Sequence, residues 1–162
     1  MKLIYLSLGS NLGNRKQHLE EAMKLIQSRI GVPEKMSMVY ESEPWGYASD
    51  NSFCNCCLSL PTLFDPIQLI DQLLGIEKEM GRERGGGGKA YSDRIIDIDL
   101  LLYEDLVLNH SRLILPHPAM AERRFVLVPL AEIAPELIHP LSGKTIRQML
   151  LECTDRSGIT PF

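Results

Sequence analysis

Hydrophobic spacing switches along this chain between a two-residue and a 3.6-residue period, and the order of the switches restricts the fold more than any other feature. Strand-like runs occupy 3–9 (LIYLSLG), 34–42 (EKMSMVYES), 52–60 (SFCNCCLSL) and 94–103 (RIIDIDLLLY). A helical stretch separates the first two. Asn14 is suited to cap it with Gln17 three residues on, and Leu19, Ala22, Met23, Ile26 and Ile30 recur at helical spacing. Gly31 is expected to end it. A second helix opens at Asp65 with Pro66 in the first helical position, carries the stripe Leu69, Ile70, Leu73, Leu74, Ile76 and Met80, and stops at Gly81.

The order is therefore β-α-β-β-α-β, followed by a tail with short helices near 119–132 and 144–152 around the turn HPLSGKT. That order predicts an α+β fold: a ferredoxin-like β-α-β-β-α-β core with a mainly antiparallel sheet and a C-terminal helical extension. At 162 residues the chain is expected to form a single domain over 1–162. A net charge of −4 gives no footing for nucleic-acid or membrane-surface binding. The opening MKLIYLSLGSN reads as a first strand, not an export signal, and no apolar run approaches the roughly 18 residues of a spanning helix. A cytoplasmic protein is expected. In an extended FCNCCLSL, Cys54 and Cys56 share one face and Cys57 takes the other, so the three cannot converge on a metal. With Cys153 they are expected to be reduced, buried thiols.

The run RIIDIDLLLY sets two acids inside an apolar strand. In an extended backbone Asp97 and Asp99 point to one face, about 6.6 Å apart at Cα, while Ile96, Ile98 and Leu100 take the other. Such a pair is either the wet face of a half-buried strand or a site for hard cations, which take oxygen ligands and complete their shell with water and phosphate. Cationic and imidazole side chains crowd the same region: Arg82, Arg84, Lys89 and Arg94 before it, then Arg112, His117, Arg123 and Arg124. Arginine offers bidentate contact to phosphate oxygens, so carboxylates ringed by arginines suit transfer of a phosphorus group. Glu77, beside the apolar stripe of the second helix, could order an arginine, bind a nucleotide hydroxyl or simply border the stripe. Neither SGKT at 142–145 nor GGGGKA fits the phosphate-loop pattern, because Ile138 and Glu83 stand where its first glycine belongs. The stretches 43–51 and 83–93 are long enough to be functional loops closing over one sheet end.

In order and spacing, LGSNLGNR, YESEPWG, FCNCCLSL, IEKEMGRER, RIIDIDLLLY, LILPHPAMAERRFVLVPLAEIAPEL and GKTI resemble the 6-hydroxymethyl-7,8-dihydropterin pyrophosphokinase family over essentially the whole chain. The resemblance implies transfer of a pyrophosphoryl group from ATP to the pterin hydroxymethyl group, leaving AMP, with two Mg2+ ions on Asp97 and Asp99. It implies catalytic roles for Arg82, Arg94 and Arg84, and ATP contacts from Glu77, Ile98, Arg112, His117 and Arg123. For the pterin it implies Ser42, Pro44 and Trp45 as a wall, Asn55 at the ring edge, and Phe53 and Phe125 on the two faces. The segment Gly9 to Asn11 is expected to be a turn that supports this pocket, with a structural role. The chain departs from the family pattern where Trp and Gly-Pro-Arg are typical, carrying Tyr91 and Ser92-Asp93-Arg94, and also at Leu74 and Ile114. The implied partners are the small molecules ATP and the pterin, with no nucleic acid and no membrane. A monomer is favoured, although the sequence leaves oligomeric state open. Two other readings remain: a different magnesium-dependent phosphotransferase, and a non-enzymatic ferredoxin-like binding module.

Overall fold

Strand β1 (Lys2–Ser10) is an inner strand of the sheet, hydrogen-bonded to a neighbour along each edge. The computed structural model describes residues 1–82 and 91–162. Helix α1 (Arg15–Arg29) follows β1, with Asn14 Oδ1 accepting the Gln17 N–H at 3.2 Å. Next come β2 (Lys35–Met36), β3 (Tyr40–Ser42), β4 (Phe53–Thr62) and α2 (Pro66–Glu79). At the start of α2, Gln68 N–H donates to Asp65 Oδ1 at 2.8 Å and Asp65 N–H to Gln68 Oε1 at 3.2 Å, a reciprocal cap that contributes about 1 kcal/mol. Strand β5 (Asp97–Tyr103), a small hairpin of β6 (Leu108–His110) and β7 (Leu113–Leu115), helices α3 (Arg124–Ile133) and α4 (Ile146–Glu152), and a terminal strand β8 (Ile159–Pro161) complete the chain. None of the described helices is long and apolar enough to cross a membrane.

The sheet order is β5-β1-β4-β3-β8 with every neighbouring pair antiparallel, the ferredoxin-like plan that the sequence predicts. Alternation along β1 assigns its side chains to two layers. Ile4, Leu6 and Leu8 pack with Leu19 and Ile26 of α1 and Leu69, Leu73 and Ile76 of α2. On the opposite face, Tyr5, Cys57, Leu101 and Leu102 pack with Val126, Leu127 and Leu130 of α3 and Met149 of α4. Each of these large side chains contributes about 1.5–3 kcal/mol by leaving water. Cys54 and Cys56 lie in the first layer and Cys57 in the second, and all four thiols are free and buried, as expected.

Several expectations need correction. The strand expected over 34–42 is broken into β2 and β3. Between them Ser37 inserts its hydroxyl into the ladder, accepting the Cys57 N–H at 2.9 Å while its own N–H donates to Cys57 O at 3.0 Å. Pairing slips by one residue there, from Met36 opposite Leu58 to Tyr40 opposite Asn55. The strand expected from 94 begins at Asp97. Gly9 and Ser10 belong to β1, not to a turn. Gly31 follows α1 without a left-handed φ; glycine is needed because a Cβ there would stand 2.2 Å from Pro61 O. Gly81, by contrast, has φ +91°. Its N–H donates to Lys78 O, and the Arg82 N–H donates to Glu77 O, both at 3.0 Å, the paired bonds of a Schellman cap. The hairpin β6–β7 and strand β8 lie outside the expected elements. β8 covers the edge of β3, and Phe162 lies under the Arg15 guanidinium at 5.2 Å.

Candidate active site

Helices α3 and α4 cover only part of their face of the sheet. Beyond Tyr5 and Leu101, the strands carry Ser7 and Gly9 of β1, Asn55 of β4, and Asp97 and Asp99 of β5 into a cavity of roughly 840 Å³, counting its open mouth. Ladder register fixes this floor: Gly9 stands between Asn55 and Asp97, and Ser7 is opposite Asp99. The two aspartates therefore share the uncovered face, as the strand period requires.

Three arginines reach those carboxylates from three different elements. The Schellman cap delivers Arg82, whose Nη1 donates to Asp97 Oδ1 at 2.6 Å and to Ile96 O at 3.3 Å, and also pairs with Glu77. Arg94, just before β5, places Nη1 at 3.4 Å from Asp97 Oδ2 and donates through Nε to Ser92 O at 2.8 Å. Arg123, immediately before α3, has Nη1 at 3.6 Å from Asp99 Oδ2, while its buried Nε has no hydrogen-bond partner among the described residues. Aromatic rings close the other half of the cavity. The Arg123 guanidinium lies 4.7 Å from the Trp45 ring and 5.8 Å from Phe125, and Arg94 lies 5.8 Å from Phe53. Arg94 and Arg123 thus each touch a carboxylate on one side and an aromatic face on the other. They mark the boundary between a charged half and a flat, apolar half.

Burial and mutual repulsion act on the carboxylate pair in the charged half. Burial, and then the charge of Asp97, push the Asp99 carboxyl up to about 7, with Arg123 and Arg82 opposing. Among the described residues no three His, Cys, Asp or Glu side chains gather into a metal cage. Two carboxylates that repel each other in a half-buried site fit magnesium, which draws its remaining oxygens from water and phosphate. Burial opposes the charge of Arg82, but Asp97 and Glu77 more than offset it and raise its pKa. His117 is pushed down to about 4 by burial and then by Arg123, so the ring is neutral at physiological pH. Its Nδ1 accepts the Ala119 N–H at 3.2 Å, which leaves the proton on Nε2 as a donor.

Of the residues the sequence singled out, Arg82, Arg94, Asp97, Asp99, His117 and Arg123 line the charged half, and Ser42, Trp45, Phe53, Asn55 and Phe125 line the rest. Asn55 is oriented by Ser42, whose Oγ accepts from Nδ2 at 2.7 Å. Four others do not line the cavity. Glu77 is buried beneath β5, accepting the Ile98 N–H at 3.2 Å besides pairing with Arg82. Ile98 packs in the α1–α2 layer, Arg112 is exposed and paired with Asp71 of α2, and Pro44 lies beside the lining residues Glu43 and Trp45. Arg84 and the Gly85 to Gly88 run lie outside the described residues. The sequence reading missed Ser7, Gly9, Glu43, Tyr47 and Tyr91 as lining residues. For Ser7 and Gly9 the signal existed: they are the small or polar positions on one parity of an otherwise apolar strand.

A family model described as 7,8-dihydro-6-hydroxymethylpterin-pyrophosphokinase (HPPK) matches residues 5–135. The chain belongs to this family. A 2-amino-4-hydroxy-6-hydroxymethyldihydropteridine pyrophosphokinase of Porphyromonas gingivalis is 43% identical over 141 residues, covering 86% of this chain and 95% of that one. The protein of the same name from Aquifex aeolicus is 37% identical over 154 residues, covering 95% and 94%. Among solved structures, a Plasmodium falciparum HPPK-DHPS variant superposes with a TM-score of 0.78 at 17% identity, over 93% of this chain and 45% of that one. At that identity the likeness speaks for the fold alone. Within the HPPK family, this chain's Tyr91 stands at the cavity mouth with its ring 5.9 Å from Trp45 in an edge-on contact, and Arg123 Nη2 lies 3.4 Å from its hydroxyl.

Proposed function

We propose that this chain transfers the pyrophosphoryl group of ATP to the hydroxymethyl oxygen of 6-hydroxymethyl-7,8-dihydropterin in folate biosynthesis, releasing AMP, through the cavity on the uncovered sheet face. The observation that carries the reading is the boundary formed by Arg94 and Arg123, each touching an aspartate and an aromatic ring. A polyphosphate in the charged half and a flat heterocycle in the aromatic half would meet at those guanidinium groups. In-line attack by the hydroxymethyl oxygen on the β-phosphorus needs stabilisation there.

Asp97 and Asp99 would hold two magnesium ions, whose chemistry is to neutralise bridging oxygens and the charge developing on the leaving group. Arg82, held between Glu77 and Asp97, is positioned in advance for phosphate oxygens and need not reorganise during transfer. Arg94, and Arg84 from the same loop, would supply further positive charge. His117, neutral with its proton on Nε2, donates a hydrogen bond to phosphate and cannot serve as a base, because Nδ1 is already occupied. Arg123, with its spare buried Nε, takes a neighbouring oxygen. Glu77 acts on the nucleotide through Arg82, while Ile98 and Arg112, on the α2 side of β5, would meet its adenosine end. On the pterin side, Phe53 and Phe125 supply faces and Asn55, fixed by Ser42, meets the polar ring edge. Ser42, Pro44 and Trp45 form the wall. The reading takes residues 1–162 as one domain, working as a monomer in the cytoplasm.

The test is incubation of the purified protein with ATP, magnesium and the hydroxymethyl dihydropterin, with products resolved by chromatography and mass detection. AMP should appear in equal amount with a pterin heavier by one pyrophosphoryl group. ADP or free pyrophosphate as the product, or no AMP from folded protein, would overturn the reading.

A further inference from the structure

One carboxylate behind the lining residues Tyr47 and Arg94 has more partners than the proposed chemistry uses. Asp93, the residue before Arg94, gathers four donors. Its Oδ1 accepts from Asn11 Nδ2 at 2.8 Å and from the Tyr47 hydroxyl at 3.0 Å; its Oδ2 accepts from Asn51 Nδ2 at 2.6 Å and from Ser49 Oγ at 3.0 Å. Three of the four belong to the loop 43–51, which also carries Trp45. The fourth, Asn11, is buried just after β1 and holds both backbone groups of Arg94: its Oδ1 accepts the Arg94 N–H at 2.7 Å, and its own N–H donates to Arg94 O at 3.1 Å. Asn11 Nδ2 also lies 3.0 Å from the Tyr47 hydroxyl and 3.2 Å from Asn51 O. The edge-on Trp45–Tyr91 contact joins the same two segments a second time.

Resting on the pyrophosphokinase reading, we propose that Asp93 is a positioning residue. It clamps the aromatic loop 43–51 to the segment carrying Tyr91 and Arg94, so that the heterocycle wall and a transition-state guanidinium form one preassembled unit.

The physical case has three parts. Charge-assisted hydrogen bonds are the stronger kind, and three of the four on this carboxylate hold a loop that otherwise lacks regular structure between Ser42 and Phe53. Burial alone would raise the Asp93 carboxyl, yet the donors hold it below the ordinary carboxylate value, so it is ionised at neutral pH. Finally, the grip is transmitted over short covalent distances. Ser92 O orients Arg94 Nε, Asp93 is anchored to the other loop, and Arg94 reaches Asp97. Releasing Asp93 would free the ring wall and the guanidinium together.

Trp45 is the sole tryptophan of the chain and reports on the clamp without any ligand. In ligand-free Asp93→Ala, acrylamide quenching of Trp45 is expected to rise about two- to threefold as the loop loosens. In steady-state assays the same variant should raise the pterin KM about tenfold and lower kcat about 10- to 100-fold, with the ATP KM within about twofold. Asp93→Asn should fall between, because its amide oxygen still accepts from Tyr47 and Asn11. Tyr47→Phe should have a smaller effect in the same direction that adds little on top of Asp93→Ala. Wild-type quenching and pterin KM in Asp93→Ala would overturn the proposal. So would equal losses on both substrates accompanied only by a lower Tm, the mark of a purely structural residue. If Asp93→Ala does not fold, Asp93→Asn and Tyr47→Phe carry the same comparison. Absence of AMP with the wild-type protein would bring down the activity reading instead, and the quenching series would still decide the clamp.

Discussion

Gly9 to alanine is the substitution that most directly tests whether the sheet itself is the floor of the proposed pterin site. The residue lies in β1 between Asn55 and Asp97, with ordinary strand backbone, so alanine is compatible with its conformation. A Cβ built there would stand 3.0 Å from Asn55 Oδ1 and 3.5 Å from Phe53 Cδ1. The first contact is too close by a few tenths of an ångström, and Asn55 is buried and tethered to Ser42 at 2.7 Å. To yield, the amide must stretch or abandon that bond, at a cost of about 0.5–1.5 kcal/mol. If that cost falls on pterin binding it amounts to roughly 2- to 12-fold in KM, and a methyl group protruding from the floor toward the ring edge adds to it. We expect a pterin KM raised about tenfold or more, an ATP KM changed by less than about twofold, and a Tm close to wild type, because the methyl points into a cavity and not into packed core. The assay is AMP release at saturating ATP with the pterin varied. An unchanged pterin KM in a folded variant would refute the proposed contact between Asn55 and the ring edge.

Gly31→Ala should show the opposite pattern: its Cβ would meet Pro61 O at 2.2 Å, so α1 and β4 must part, and denaturant unfolding should report a loss of about 1–3 kcal/mol with both KM values unchanged. No loss would disprove the close approach. Asp99 is pushed up to about 7 by burial and then by Asp97, against about 3.9 in an unfolded chain. The folded state therefore holds that proton more tightly, and the associated stability is present below about pH 4 and lost as pH rises through about 7. In chelator, wild type should lose stability relative to Asp99→Asn as pH rises through that window, because His117, pushed down to about 4, gains stability there in both proteins and drops out of the difference; magnesium should restore stability only to wild type, and parallel pH profiles would contradict this. Arg82→Ala should lower kcat about 100- to 1000-fold and change ATP affinity by less than about threefold, if its contact is made mainly in the transition state as proposed. A change confined to KM would assign Arg82 to ground-state binding.

What the sequence made legible was whatever depends on periodicity and caps. Asn14 and Asp65 start their helices as their side chains suggest, and the parity of Asp97 and Asp99 follows from any extended backbone. The illegible part depends on pairing across long separations. Nothing near Ser37 says that its hydroxyl will replace a ladder bond from Cys57, and nothing near Asp93 says that Asn11, 82 residues earlier, will meet it. Glu77 shows the intermediate case. Its position beside the stripe of α2 leaves an arginine-ordering acid and a border residue both open, and only the cap at Gly81 reveals that Arg82, turned back over the helix end, is one of its partners.

The same strand that supplies the carboxylates must also bury its far end, and β5 does both through one irregularity. Strict alternation would place Asp97, Asp99, Leu101 and Tyr103 on one face and Ile98, Leu100 and Leu102 on the other. Instead, pairing with β1 slips between Tyr5 and Leu6, Leu6 opposing Leu100 and Tyr5 opposing Leu102, so that Leu101 is the extra residue of a bulge. Leu101 and Leu102 consequently both join the layer under α3, and Tyr103 returns to the layer under α1 and α2. The three consecutive leucines of DIDLLLY are the visible trace of that slip. The bulge lies where α3 begins to cover the sheet. The regular ladder beyond it keeps Asp99 opposite Ser7 and Asp97 opposite Gly9, where no helix packs. A residue inserted or deleted between Asp99 and Leu102 would therefore exchange buried leucines between the two faces, so the spacing from the aspartates to the covered core is fixed as firmly as the aspartates themselves.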